Sequence, residues 1–141
     1  MGRIVGIDFG LARIGLAISD VNKIISQPLL AVKAGKNPLQ TAQLIAKELA
    51  KFDRIEAIVM GLPLLLSGQD GDMAKHVRNF KLVLEQVLNL PVFLWDERLT
   101  SQQVERFLKS AELNRKERSK VSDAMAAAAI LQNYLAAQEL S

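Results

Sequence analysis

The spacing of apolar residues changes partway along this chain, and that change restricts the fold more than any other feature. Up to residue 32 the apolar residues come in short runs separated by turns; beyond it, runs at helical spacing alternate with short strand-like ones. Residues 3–8 alternate around Ile4 and Val5 and end at Asp8-Phe9-Gly10, the pattern of a strand entering a turn. A second strand is expected at 14–19, a polar turn at Asp20, Asn22 and Lys23, and a third strand at about 25–32. Connections this short make the three an antiparallel meander. Asn37-Pro38 supplies an N-cap and a proline at the first helical position. Ala42, Ile45, Leu49 and Phe52 then share one helical face.

A short apolar run at 55–60, ending at Gly61, fits a buried strand. Met73, Val77, Phe80, Leu84 and Val87 mark a second amphipathic helix, and 91–95 a fifth strand. Thr100 with Gln103 forms a capping box and Leu99 with Val104 a hydrophobic staple, so a third helix is expected there. A basic polar stretch at 114–120 separates it from a last, alanine-rich helix at about 119–138.

The order βββαβαβαα predicts an α/β fold: a five-stranded mixed sheet, made of a three-strand meander plus two parallel strands, flanked by helices. Right-handed crossovers make strands one, four and five parallel, so their carboxyl ends share the edge where α/β sheets bind ligands. With 141 residues, the expectation is a single domain spanning 1–141.

Composition narrows the chemistry available at that edge. The chain has no cysteine and one histidine, which excludes disulfides, zinc–thiolate sites, iron–sulfur clusters and thiol nucleophiles. Any metal would have to be hard and held by carboxylates. Eighteen Lys and Arg against fifteen Asp and Glu permit a nucleic-acid partner without demanding one. Aromatic residues at 5 % leave little for a base-stacking platform, so recognition should rest on shape and phosphates. No apolar run approaches the roughly 18 residues of a membrane helix, and a charge interrupts the first apolar stretch; the expected location is cytoplasmic.

Asp8 after strand one, the loop at 61–71 after strand four and Asp96-Glu97-Arg98 after strand five all come to the predicted edge. Asp8 or Glu97 alone could be a turn or helix-start residue. Together, carboxylates gathered without histidine or cysteine suit Mg²⁺ or Mn²⁺. Asp123, in the first turn of the last helix, is a fourth candidate or simply a capping aspartate.

Gly6-Ile7-Asp8-Phe9-Gly10, Arg13-Ile14-Gly15, Ala17 and Ser19-Asp20 resemble the opening of the YqgF family of bacterial Holliday junction resolvase-like proteins and pre-16S rRNA nucleases. Gly61-Leu62-Pro63, Gly68, Gly71, Asp96-Glu97-Arg98-Leu99-Thr100-Ser101, and Asp123 with Ala126-Ala127 and Ile130-Leu131-Gln132 match its later blocks in order. The resemblance implies an RNase H-like fold, with Asp8, Glu97 and Asp123 as catalytic acids that bind two metal ions, Mg²⁺ or Mn²⁺. It implies a phosphodiester-cleaving nuclease acting on the 5′ end of precursor 16S rRNA or, alternatively, on a Holliday junction. Leu65 stands where the family usually has an asparagine, and Leu64-Leu65-Leu66 is expected to pack under its loop rather than form an exposed lip.

One geometric condition follows. If strand five lies two places from strand one, their backbones are ~10 Å apart at ~4.8 Å per strand. Glu97 must then reach across, or a helix must bring Asp123 over.

Arg13 and Arg98 could hold a phosphate bidentately or fix a neighbouring acid by a salt bridge. Arg115, Lys116, Arg118 and Lys120 crowd beside Asp123, and their position favours contact with a phosphate backbone over a merely solvated surface. His76 is expected to be an exposed helix residue and Trp95 a core one. The partner would be a structured RNA precursor or branched DNA, met by a monomer or homodimer.

Two other classes compete. Gly6-Ile7-Asp8-Phe9-Gly10 also resembles the first phosphate loop of actin- and Hsp70-like ATPases, which close two such domains on ATP; this length supplies one. A nucleic-acid-binding module without catalysis is the other, and the presence of all three acids argues against it.

Overall fold

The computed structural model describes the backbone of residues 1–97 and 115–139 and the side chains of 1–97 and 123–138. The strands are β1 (Arg3–Asp8), β2 (Arg13–Ser19), β3 (Ser26–Lys33), β4 (Ile55–Leu62) and β5 (Val92–Asp96), and the helices α1 (Pro38–Leu49), α2 (Asp72–Leu88) and α3 (Arg115–Glu139). They form one sheet in the order β3-β2-β1-β4-β5, antiparallel across β3, β2 and β1 and parallel across β1, β4 and β5. The expected meander and parallel pair are therefore both present. The helix expected from Thr100, and Arg98 before it, lie outside the described residues.

Local chemistry sets the turns. Between β2 and β3 the Asp20 carboxylate accepts from the amides of Ile24 and Ile25, both at 2.8 Å, which also holds its pKa below the usual carboxylate value. Asn37 caps α1 by accepting from the Gln40 amide at 2.8 Å. Helix α2 ends at Asn89 in the left-handed conformation. The Arg78 guanidinium donates through two nitrogens to Asp70, at 2.6 and 3.1 Å, and so straps the loop after β4 to α2.

Each face of the sheet carries its own core. Under α1 and α2, Val5, Ile7, Ile14 and Met60 meet Ile45, Phe80 and Leu84. Under α3, Ile4, Ala17 and Val59 meet Ala127, Ile130, Leu131 and Leu135.

Three expectations are corrected here. Helix α3 begins at Arg115 rather than near residue 119, so Arg115, Lys116, Arg118 and Lys120 belong to its first turns and not to a loop; their side chains lie outside the described ones. Of the leucine triplet only Leu64 packs on the core, while Leu65 is 51 % and Leu66 95 % exposed. The loop is too short to fold all three beneath itself once Leu64 has paired with Asp70 across its neck. Trp95 is half-buried, edge-on to Tyr134 with ring centroids 5.8 Å apart, because β5 is an edge strand. His76 is exposed on α2, as expected.

Candidate active site

Asp8 ends β1, and its place on the sheet explains how three acids from distant elements become neighbours. On one side it pairs with Gly15 of β2. On the other lies Gly61 of β4, the residue after Met60, which pairs with Ile7. Both flanking positions on the α3 side of the sheet therefore lack a side chain, and each empty position is filled by another acid. A β-carbon on Gly15 would overlap the backbone carbonyl of Asp123. A β-carbon on Gly61 would stand 2.6 Å from Cγ of Glu97 and 2.8 Å from its carboxyl carbon.

The condition set by strand order is met in this way. Glu97 follows β5, two strands from β1, and its side chain lies over Gly61 to reach Asp8. Asp123 comes from the opposite direction, because α3 settles backbone-close on Gly15. Gly6 continues the same seam: a β-carbon there would stand 2.7 Å from the carbonyl oxygen of Ala127. These glycines had a sequence signal that motif matching passes over. Glycine inside a strand pattern marks the close approach of another backbone.

Electrostatics register the crowding. The Asp8 carboxyl is pushed up to about 8, first by burial, then by its hydrogen bond and charge repulsion with Glu97, and further by the charge of Asp123. Burial also raises Asp123, against the pull of Arg13. Arg13 Nε lies 2.8 Å from Asp123 Oδ2, an ion pair between the two side chains. Of the two roles expected for Arg13, the structure displays the salt bridge to an acid.

A carboxyl whose pKa is raised by burial and by acidic neighbours is a position where a cation can replace the proton. The donors are all carboxylate oxygens, the set preferred by Mg²⁺ and Mn²⁺. Among the described residues, no three acidic or imidazole side chains already stand close enough to enclose a metal ion. The fit is therefore one of donor chemistry and charge, not of a closed cage.

Comparison with known proteins places this arrangement in context. Residues 2–137 match the family model described as RuvX, Holliday junction resolvase. A protein of Protochlamydia amoebophila named as a candidate pre-16S rRNA nuclease is 47 % identical over 138 residues, covering 94 % of this chain and 92 % of that one. One from Caldanaerobacter subterraneus, named likewise, is 40 % identical over 140 residues and covers 99 % of both. Among solved structures, Thermus thermophilus RuvC in complex with a Holliday junction substrate aligns with a TM-score of 0.62 at 17 % identity, over 100 % of this chain and 98 % of that one. The fowlpox virus Holliday junction resolvase aligns at 0.55 and 13 %, over 96 % and 99 %. Those two likenesses carry the fold, and the resolvase-like sheet expected from the sequence is the one present. From the family model and the full-length relatives together, this chain belongs to the RuvX (YqgF) family.

Proposed function

We propose that this protein is a divalent-metal-dependent nuclease that hydrolyses phosphodiester bonds at the 5′ end of precursor 16S rRNA in the cytoplasm. The observation that carries the reading is the meeting of Asp8, Glu97 and Asp123 over Gly15 and Gly61, with the Asp8 carboxyl raised to about 8. The full-length relatives named for that RNA support the substrate.

Asp8, Glu97 and Asp123 would hold Mg²⁺ or Mn²⁺, which when bound would neutralise charge on the phosphate and activate a water in a two-metal site. Asp8 would give up its proton on holding a cation, which would couple metal loading to proton release. Arg13 holds Asp123 in place through its ion pair and keeps it more acidic than burial alone would allow. Arg98, Arg115, Lys116 and Arg118 would take phosphates on either side of the cut. Among the described residues, no helix is long and apolar enough to cross a membrane.

Cleavage of a four-way DNA junction is the second reading, favoured by the family model's description and by the fold shared with RuvC. The experiment compares a 16S rRNA precursor and a four-way junction side by side in Mg²⁺ and in excess EDTA. The expected result is cutting of the RNA at its 5′ end, abolished by the chelator. Cutting of the junction alone would transfer the function to resolution, and binding without cutting in Mg²⁺ or Mn²⁺ would leave a non-catalytic module. Full activity in EDTA would end the metal mechanism.

A further inference from the structure

On the α1–α2 side of the sheet, at the same end as Asp8, lies a cavity of about 330 Å³. Phe9, the residue after Asp8, and Phe80 of α2 form its floor, with ring centroids 4.9 Å apart and planes inclined by 36°. His76, one turn before Asn79 and Phe80 on α2, and Asn79 both line the cavity. Exposed Lys36 lines the opposite wall. None of these three polar side chains has a hydrogen-bond or ion-pair partner among the described residues.

The wall carrying Lys36 is built in advance. The Ala34 amide donates to the Ala12 carbonyl at 2.9 Å, the Gly35 amide to the Thr41 hydroxyl at 2.9 Å, and the Gln40 amide to Asn37 at 2.8 Å. Such a cavity does not need to be opened by its ligand.

Its volume is at the small end of ligand pockets, which run from about 300 to 1,000 Å³, and suits one ring system rather than a duplex. The floor is aromatic, the wall offers an amide and an imidazole able to donate and accept, and a cation stands at the side. Phe9 and Asp8 are consecutive, ~3.8 Å apart at Cα, and their side chains serve opposite faces of the sheet. A nucleic-acid strand crossing the sheet's end with one phosphate at Asp8 would therefore carry a neighbouring base to Phe9.

We infer that this cavity holds one unstacked nucleobase of the strand being cut, its ring against Phe9, which packs on buried Phe80, and its edge hydrogen-bonded by Asn79 and His76. The inference rests on the nuclease reading above and adds a base-binding position to it. Lys36 serves the phosphate beside that base.

The test uses single-stranded RNA octamers carrying the fluorescent adenine analogue 2-aminopurine at each position in turn, titrated in EDTA so that nothing is cut. The wild-type chain should quench the fluorescence at one position. Asn79→Ala and His76→Ala, both surface changes, should each bind about tenfold more weakly, as expected for the loss of one hydrogen bond. Leu82→Ala, exposed on α2 and outside the cavity's lining, should bind as wild type does. Removing the base at the quenched position should weaken wild-type binding to the level of Asn79→Ala. Equal affinities for wild type, Asn79→Ala and His76→Ala, or no quenching at any position, would overturn the inference. If the variants weaken binding but the wild type never cuts in Mg²⁺ or Mn²⁺, the base site stands and the nuclease reading falls. If the wild type cuts and the affinities are equal, the base site alone falls.

Discussion

Toward α1 and α2 the sheet presents Val5, Ile7, Leu16, Ile58 and Met60, and the helices meet it with Ile45, Phe80 and Leu84. Toward α3 it presents Gly6, Gly15, Ala17 and Gly61, and the helix brings Ala124, Ala127 and Ala128 to it. The first face gains stability from volume: large side chains interdigitate and hold helices and sheet apart at a side-chain distance. The second does the reverse, removing side chains so that a helix backbone descends onto the strands. Some apolar burial is given up there, and in exchange Asp123 and Glu97 are set beside Asp8 with little freedom to drift. Both faces bury a core, and the α3 face in addition brings the acids together.

That division is exposed to test at Gly15. Gly15→Ala puts a methyl where the Asp123 carbonyl lies, and backbone cannot turn aside as a flexible side chain can. The expected cost is about 3 kcal/mol of stability, at the upper end for overpacking. If Asp123 is catalytic as proposed, the rate per folded molecule should also fall about 100-fold, because a displacement of ~1 Å costs that much. Urea titration and single-turnover cleavage at matched folded fraction would measure the two losses. Unchanged cleavage per folded molecule would break the comparison.

Leu84→Ala probes the other face. It empties a fully buried position and should cost about 2–5 kcal/mol. Cleavage per folded molecule should stay within about twofold, since no acid rests on that packing. Denaturation and the same cleavage assay decide it.

Asp8→Asn removes the titrating carboxyl from the crowded face at nearly unchanged volume. Cleavage should fall about 100-fold or more. Stability should respond to pH with a definite sign. In the folded chain Asp8 titrates at about 8, against about 3.9 when unfolded, so between those values the folded state holds a proton that the unfolded state has released. Without divalent metal, wild-type stability should therefore decline as pH rises from about 4 to about 8. Asp8→Asn should lack that decline and melt a few degrees above wild type at pH 8, with the two converging near pH 4. Melting curves in EDTA across that range test this. A variant less stable than wild type at pH 8 would make Asp8 a structural pairing residue. Added Mg²⁺ should stabilise the wild type more at pH 8 than at pH 6, because loading then competes less with the proton.

The smallest effect is expected from replacing Arg115, Lys116 and Arg118 together with alanine, at the start of α3. If these residues touch phosphates, the slope of log affinity against log salt shrinks by about 0.7–0.9 for each phosphate no longer neutralised. Asp8 metal affinity should barely change. Binding to one RNA and one junction at several salt concentrations gives both slopes, and an unchanged slope for both returns these residues to the solvated surface.

Much of this was legible along the chain. The switch from strand runs to helical spacing at Asn37-Pro38 marks where the meander ends, and all five strands and the first two helices are present in the expected order, though α1 ends at Leu49 and Phe52 packs from the turn after it. Asp8 was legible because a carboxylate between Ile7 and Phe9 is costly to leave unpaired. Local signals were weaker where neighbours decide the outcome. Leu65 and Leu66 look like core residues in sequence, yet the single pairing of Leu64 with Asp70 leaves them facing solvent. Trp95 looks buried until its strand proves to be at the sheet's edge. The polar character of 114–120 suggests a loop, yet from Arg115 onward the backbone is helical, since charged residues carry no bar to a helix.

By itself the sequence determined which residue types could do the chemistry and which segments would be strands, because composition and periodicity are properties of the chain alone. Only the tertiary structure decided that these acids share a site. Glu97 reaches Asp8 across the bare backbone of Gly61, and Asp123 arrives because α3 rests on Gly15. Those contacts join residues from both ends of the chain, and their distances depend on side chains that are absent.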